Sequence, residues 1–307
     1  MFNEGNQGKY ELWIKCLGIP CLNNVLTGWK YSDRCYRTAL IIAGRGLDGI
    51  SLANFNNELC DVFRELNGIY HWTKYDSQNR RWSSPIPISN GTIKSASRPA
   101  VATFNDRLYC LYRHHPSNKL YCISTSNGSS WTSPADAGGN GALTNDGPAL
   151  CGYQGRLVSV HRGTDNHVHW NQSTNGTTWS NTLRISSSIS TTKPPAIEVF
   201  NGAIYCFISN YGQHRLYTSK YNGSSWNGFH DLGGNLDSAP QVGISSGGTM
   251  IVMRKSRDDF LVRVKECDKN GNWIPGIRWW PDVNTSGALG MANWDGVLWV
   301  YAGSASI

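Results

Sequence analysis

From residue 98 onward, short apolar runs alternate with polar punctuation on a fixed plan. "RPAVATF" reads as a strand, "ND" as a tight turn, "RLYCLYR" as a second strand and "HHPSN" as a loop; "KLYCIS" is a third strand, "TSNGSS" a turn and "WTSPADA" a fourth strand. The middle strands are nearly continuous in apolar residues, the pattern of a sheet covered on both faces. Asn-Gly supplies the positive φ of the hairpin between strands three and four. The tryptophan just after it is placed to anchor that hairpin against a neighbour.

The plan recurs. Trp82, Trp131, Trp179, Trp226 and Trp273 follow one another at steps of 49, 48, 47 and 47 residues. A second marker, an aromatic before a turn, keeps the same beat at Phe55-Asn56, Phe104-Asn105, Tyr153-Gln154, Phe200-Asn201 and Trp294-Asp295, with a degenerate copy at Ser245-Ser246-Gly247. Two markers on one period define a repeat. A four-stranded antiparallel sheet repeated every 45 to 50 residues or so, covered on both faces, is the blade of a β-propeller. The expectation is an all-β, six-bladed β-propeller forming a single domain over 1–307, with blades at about 49–97, 98–146, 147–193, 194–238, 239–285, and 286–307 together with 1–48. In that last blade "ALGMANWDGVLWVYAGS" gives the first two strands, "KYELWIKC" the third, and Trp29 stands for the hairpin tryptophan. Joining both ends in one blade removes free sheet edges. Residues 18–48 form the longest connection and take no assignment.

Composition agrees with the class: 33 Gly, 13 Trp and 14 Tyr with 16% charged residues describe a turn-rich, aromatic chain. The formal charge of +7 is spread singly, with one dense spot at Arg80-Arg81. Nucleic acid is therefore not the expected partner, because tracking phosphates takes a basic stripe. "MFNEGNQGKYELWIKCLG" lacks the apolar run of an export signal and no segment has transmembrane length, so a cytoplasmic location without membrane insertion is expected. Among nine cysteines, Cys60, Cys110 and Cys206 fall near one place in the repeat and read as small buried groups. Cys16, Cys21 and Cys35 cluster, with a disulfide or a metal as open alternatives.

Nine residues after the start of each turn marker come Arg64, Arg113, Arg162 and Arg254, with Ser209 and Gly303 in the other two copies. At the end of a second strand they form a broken ring around one mouth. A guanidinium there can donate to sugar hydroxyls or a carboxylate, or it can bond loop carbonyls between blades. Tyr70, Tyr121, His169 and Tyr217 fall at roughly matching points of strand three, with Trp72 and Trp170 nearby. Aromatic faces beside such donors suit the apolar patches and hydroxyl rim of a sugar, although alternation along a strand also buries every second residue. The candidate sugar-binding residues are thus Arg64, Arg113, Arg162, Arg254, Trp72, Tyr121, His169, Trp170 and Tyr217. Asp61, Glu65, Asp165, Glu198, Asp258 and Asp259 are the carboxylates a glycosidase could use, yet they fall at unlike places in the repeat. His167 and His169 share a strand face without a third metal ligand in view, and no phosphate loop, nucleophile elbow or H-E-x-x-H occurs. No cofactor is expected.

"RGTDNHVHW" at 162–170, "FNGAIYCF" at 200–207 and "GSSWNGFHDLGGNLDSAP" at 223–240 resemble the repeats of bacterial and fungal β-propeller lectins, in particular the Photorhabdus-type fucose-binding lectins. The resemblance implies several shallow sugar sites between blades, glycan partners, no catalytic step and often a homo-oligomer. The hairpins also resemble the S-x-D-x-G-x-x-W box of sialidases: Ser124, Gly128 and Trp131 match, while Ser126 stands where the aspartate belongs. A lectin is the expectation. A small-molecule enzyme or glycosidase at the propeller mouth, and a protein-binding scaffold, are its alternatives.

Overall fold

A computed structural model of the chain describes residues 50–302 apart from 66, 80, 96, 236–237, 258–260, 285–288 and 295–296, together with two short strands, Ile14–Leu17 and Arg34–Arg37. It is a β-propeller. Five antiparallel sheets each run inner strand to outer strand in chain order. Blade two is built from Ala100–Phe104, Arg107–Arg113, Leu120–Thr125 and Ala135–Asp136, and blade three from Ala149–Tyr153, Arg156–Arg162, Val168–Ser173 and Leu183–Arg184. Blade four comprises Ala196–Phe200, Ala203–Ser209, Leu216–Tyr221 and His230–Gly233; blade five comprises Gln241–Ile244, Met250–Lys255, Leu261–Cys267 and Arg278–Asn284. In blade one, Ile50–Phe55, Glu58–Arg64 and Tyr70–Asp76 are followed by an outer strand split into Arg81–Trp82 and Ile86–Pro87.

The expected sixth blade is where the description differs. Leu289–Trp294 and Val297–Ala302 form a two-stranded sheet, and Ile14–Leu17 with Arg34–Arg37 forms another, so five four-stranded blades stand among the described residues rather than six. Ile14–Leu17 lies beside Val297–Ala302, but among the described residues no backbone pairing joins the two sheets. Leu289–Trp294 sits between the inner strands of blades five and one. Asn293 Nδ2 donates to Ile244 O at 2.8 Å on one side, and Trp294 Nε1 to Asn57 O at 2.8 Å on the other. Cys16 stands opposite Cys35 in the N-terminal pair, while Cys21 and Trp29 lie outside the described residues.

Alternation along each strand sends side chains to the two neighbouring blades. Ala100, Ala102 and Phe104 of blade two meet Leu150 and Leu157 of blade three, and Cys151, Tyr153 and Val158 of blade three meet Ile204 and Tyr221 of blade four. The Asn-Gly hairpins lock these faces. Gly128 (φ +77°) lies on the Trp72 ring of the preceding blade and Gly176 (φ +74°) on the Tyr109 ring, each so closely that a Cβ would enter the ring. The asparagine does a second job that was not read from the sequence: its side-chain oxygen accepts the next amides of the turn. Asn127 takes Ser129 N and Ser130 N, Asn175 takes Thr177 N and Thr178 N, and Asn222 takes Ser224 N and Ser225 N. Asp76 and Asp268 do the same in blades one and five. The tryptophans that follow are structural, as expected: Trp179 is buried with its Nε1 donating to Gly176 O, and Trp131 and Trp273 pack against the inter-blade cores.

A buried hydroxyl stitches each of three links, those leading into blades two, three and four, to the next blade. Ser95 Oγ donates to Arg113 O, Thr144 Oγ1 to Arg162 O and Thr191 Oγ1 to Ser209 O, at 2.5, 2.8 and 2.8 Å. The backbone N–H of the same three residues donates back to Gly68 O, Asn118 O and Asn166 O of the blade just completed. One residue thus spans each of these three seams. No helix of the described residues is long and apolar enough to cross a membrane.

Candidate functional site

The second-strand ends and the inter-blade links share one face of the ring, as these latches require. Arg113 and Arg162 are there, but they are clamps. Arg113 donates from Nε and Nη2 to Asn118 Oδ1 (3.0 and 2.7 Å) and from Nη1 to Asn145 O (2.9 Å). Arg162 grips Asp146 with Nε and Nη2 (2.6 and 2.5 Å) and Asn166 Oδ1 with Nη1 (2.8 Å), and its side chain is 16% exposed. The bonding of loop groups between blades, one of the two alternatives, is what both do. Arg64 ends the second strand of blade one, half-buried.

Arg254 is out of the ring. Ser245 N donates to Thr249 O, so the turn of Ser246, Gly247 and Gly248 carries one residue more than the two-residue turn between Phe200 and Ala203, and strand two slides accordingly. Ser256 N donates to Leu261 O as Gly163 N does to His167 O, which puts Lys255 at the ring position and Arg254 one step back in the core. A shift of one residue turns a side chain to the opposite face. The same register check replaces Tyr70 by His71 in strand three: Tyr70 is wholly buried with its hydroxyl donating to Ser97 O, whereas His71, Tyr121, His169 and Tyr217 share one position, opposite Phe63, Tyr112, His161 and Ile208.

At that shared position Tyr121, His169 and Tyr217 are half-buried, each with a charged residue directly across on the outer strand. Tyr121 faces Asp136, Tyr217 faces Asp231 and His169 faces Arg184. An opposite charge completes each group: Lys119 Nζ lies 3.5 Å from Asp136, Arg215 Nε 2.8 Å from Asp231, and Asp165 bonds both Arg184 (2.6 Å) and His169 (3.0 Å). These charges are 34–48% exposed. Bonds to the His167 amide, His169 and Arg184 outweigh partial burial and hold the Asp165 carboxyl down at about 2. Three consecutive blades therefore present an aromatic ring, a carboxylate and a cation together. Sequence reading found the rings and singled out Asp165 as a carboxylate, but not the other charges, because the short outer strands carry no legible register.

Trp72 and Trp170 are less available. Trp72 is buried beneath Gly128, and Trp170 packs on Tyr221 and Trp226 with ring centroids 5.1 and 6.0 Å apart. The carboxylates are dispersed: Asp61 is buried in blade one, Glu65 lies 3.8 Å from His71, and Asp258 and Asp259 lie outside the described residues. His167 Nδ1 donates to Ile189 O while His169 bonds Asp165, and among the described residues no group of three or more His, Cys, Asp or Glu could hold a metal. The six described thiols are free and buried, and burial pushes those of Cys60 and Cys122 up to about 12.

Glu198 is the odd residue of the inner strands. Its position is Ala53, Ala102, Cys151, Gly243 and Ala292 elsewhere. Burial pushes its carboxyl up to about 7, against the Val199 N–H it accepts at 2.9 Å. A raised carboxyl pKa costs nothing below its unfolded value near 4.5 and its full penalty above about 7. Glu198→Ala should therefore stabilise the fold by about 1–2 kcal/mol at pH 8, after discounting for the partly open side chain, and by nothing at pH 4. Urea titrations at the two pH values measure this.

No family's sequence pattern matches the chain, and no curated protein does. Solved structures do match. SapL1 lectin in complex with α-methyl fucoside is 14% identical with a TM-score of 0.62, covering 83% of this chain and 88% of that one. AofleA from Arthrobotrys oligospora is 12% identical with a TM-score of 0.60, covering 86% and 81%. The lectin of Aleuria aurantia, a six-bladed β-propeller with a novel fucose recognition mode, is 15% identical with a TM-score of 0.55, covering 83% and 89%. At such identities the likeness establishes the fold.

Proposed function

We propose that this protein is a carbohydrate-binding propeller, a lectin with several sugar sites, and that its ring is completed by a sixth blade made from both chain ends. The observation that carries the reading is the repeated group of ring, carboxylate and cation in blades two, three and four: Tyr121 with Asp136 and Lys119, His169 with Asp165 and Arg184, and Tyr217 with Asp231 and Arg215. A ring stacks on the apolar C–H face of a sugar, a carboxylate accepts from its hydroxyls and a cation donates to them. The similarity of the scaffold to lectins solved with fucosides supports the class and makes fucose the first sugar to try. Shallow sites of this kind are weak singly, and repetition around a ring raises binding to a glycan-covered surface by about 10²–10⁴. The expected ring arginines Arg113 and Arg162 position the loops beneath these groups, and Arg64 holds the same place in blade one. Position of Leu289–Trp294 between blades five and one, with Ile14–Leu17 beside Val297–Ala302, supports the six-bladed closure.

A glycan array run with wild type, Asp136→Asn and Asp231→Asn tests the reading. Selective binding to one class of terminal sugar is expected, weakened about tenfold or more by either substitution as one site drops out of a multivalent contact. A blank array from folded protein, or binding untouched by both substitutions, would remove these sites from consideration.

A further inference from the structure

The hairpins of blades two, three and four share the sequence Asn-Gly followed by Ser or Thr, at Asn127, Asn175 and Asn222. In each, two backbone N–H groups of the turn donate to the asparagine Oδ1 at 2.9–3.0 Å. A hydroxyl lies third at the same oxygen: Thr125 and Ser173 at 3.2 Å, Ser224 at 2.8 Å. Donors gathered on a carbonyl oxygen stabilise the negative charge it takes on when a nucleophile adds to its carbon. Elsewhere among the described residues no Asn-Gly asparagine receives more than one donor there. The nucleophile at hand is the next backbone nitrogen, that of the glycine.

The three hairpins differ at that nitrogen. Gly128 and Gly176 are buried, and their N–H groups donate to Thr125 Oγ1 and Ser173 Oγ, both at 2.8 Å. Blade four has one residue fewer between the end of strand three and its tryptophan. Tyr221 therefore takes the ladder place of Thr125 and Ser173, opposite Ile204 as they are opposite Leu108 and Leu157. Its hydroxyl donates to Gly223 O at 3.0 Å, Gly223 itself is exposed at φ +102°, and among the described residues no group accepts its N–H.

We propose that Asn222 is a site of spontaneous deamidation and that Asn127 and Asn175 are protected from it. Hydroxide takes the proton of the exposed Gly223 N–H and the nitrogen adds to Asn222 Cγ, the carbonyl electron pair moving onto Oδ1 between its three donors. When that pair returns, the bond from Cγ to Nδ2 breaks and ammonia leaves with a proton from water. Water then opens the succinimide ring at either carbonyl, to aspartate or isoaspartate. At Asn127 and Asn175 the first step is blocked, because the glycine proton is buried and held by a hydroxyl. Aspartate fits the turn, as Asp76 and Asp268 do in blades one and five. Isoaspartate adds a methylene to the main chain beside Tyr221, which packs on Tyr153 of blade three with centroids 6.2 Å apart, and so loosens that seam. None of this depends on whether the blades bind sugar.

The test is incubation of the whole protein at pH 8.5 and 37 °C, folded and in denaturing urea, with peptide mass mapping of the three hairpins over time. In urea the three sites have nearly one local sequence and should convert at nearly one rate. In the folded protein Asn222 should convert about tenfold or more faster than Asn127 and Asn175, the glycine N–H bond being the protection. Thr125→Val keeps the buried shape and removes the hydroxyl, so it should speed Asn127 severalfold and leave Asn222 unchanged. Equal rates at the three sites in the folded wild type overturn the inference, a result that needs no variant to fold. An unchanged Asn127 rate in folded Thr125→Val overturns the protection by the hydroxyl.

Discussion

Replacing His161 by phenylalanine should stabilise the protein, and far more at pH 4.5 than at pH 7.5. The imidazole is wholly buried and stacked on His169 with centroids 5.7 Å apart, and neither ring nitrogen has a partner among the described residues. Burial, with His169 adding to it, lowers its pKa from 6.5 to about 3. Between those values the unfolded chain binds a proton that the folded chain refuses, so stability is full above about pH 6.5 and drains as the pH falls toward 3. At about 1.4 kcal/mol per pH unit, the loss by pH 4.5 approaches roughly 2–3 kcal/mol. Phenylalanine removes that loss, and it also removes two buried unsatisfied nitrogens, worth about 1–3 kcal/mol at any pH. The site accepts the ring: blade one already stacks Phe63 on His71 at 5.9 Å. Urea unfolding of both proteins at the two pH values measures the difference, and parallel pH profiles would show that His161 is not the acid-sensitive group.

Gly128→Ala should cost about 3–4 kcal/mol while Gly155→Ala costs about 1–2. Both glycines have nearly the same backbone, φ +77° and +73°, so the left-handed penalty for an L residue is common to them. Around Gly155 an added Cβ meets nothing within 4 Å, whereas at Gly128 it enters the buried Trp72 ring. The difference is the cost of pushing one blade off the next, about 1–3 kcal/mol for overpacking a well-filled interface. Equilibrium unfolding of the pair isolates that term, and equal destabilisation would mean the hairpin can lift without disturbing the seam. Gly176→Ala, set against Tyr109, should follow Gly128→Ala.

What could be read from the chain was what repeats. The Asn-Gly-x-x-Trp hairpins and the aromatic before each turn gave the blade and its boundaries because turn chemistry is local and leaves its mark in a few adjacent residues. Facing was harder. In blade five one extra residue among Ser246, Gly247 and Gly248 displaced Arg254 from the ring, and counting from a marker cannot see such a slip. Cys60 misleads in the same way: Asp61, not Cys60, occupies the place of Cys110 and Cys206. The partners of Tyr121 and Tyr217 were invisible because Ala135–Asp136 is only two residues long and the outer strand of blade four is irregular, so neither carries a periodic signal. Chain ends supplied two strand pairs where a full blade was expected, since "KYELWIKC" predicts a strand but not which ladder it joins.

The buried hydroxyls of Ser95, Thr144 and Thr191 govern how the molecule comes apart. In a linear array of repeats the outermost unit has one neighbour, and unfolding frays inward from it. Here each latch ties a link both backward and forward, so blades two and three each lean on two latched seams. Blade loss in the middle of the ring must break both at once. The fold therefore opens where its latches are fewest, near the chain ends, and amide exchange should register blades two and three as one late-opening block.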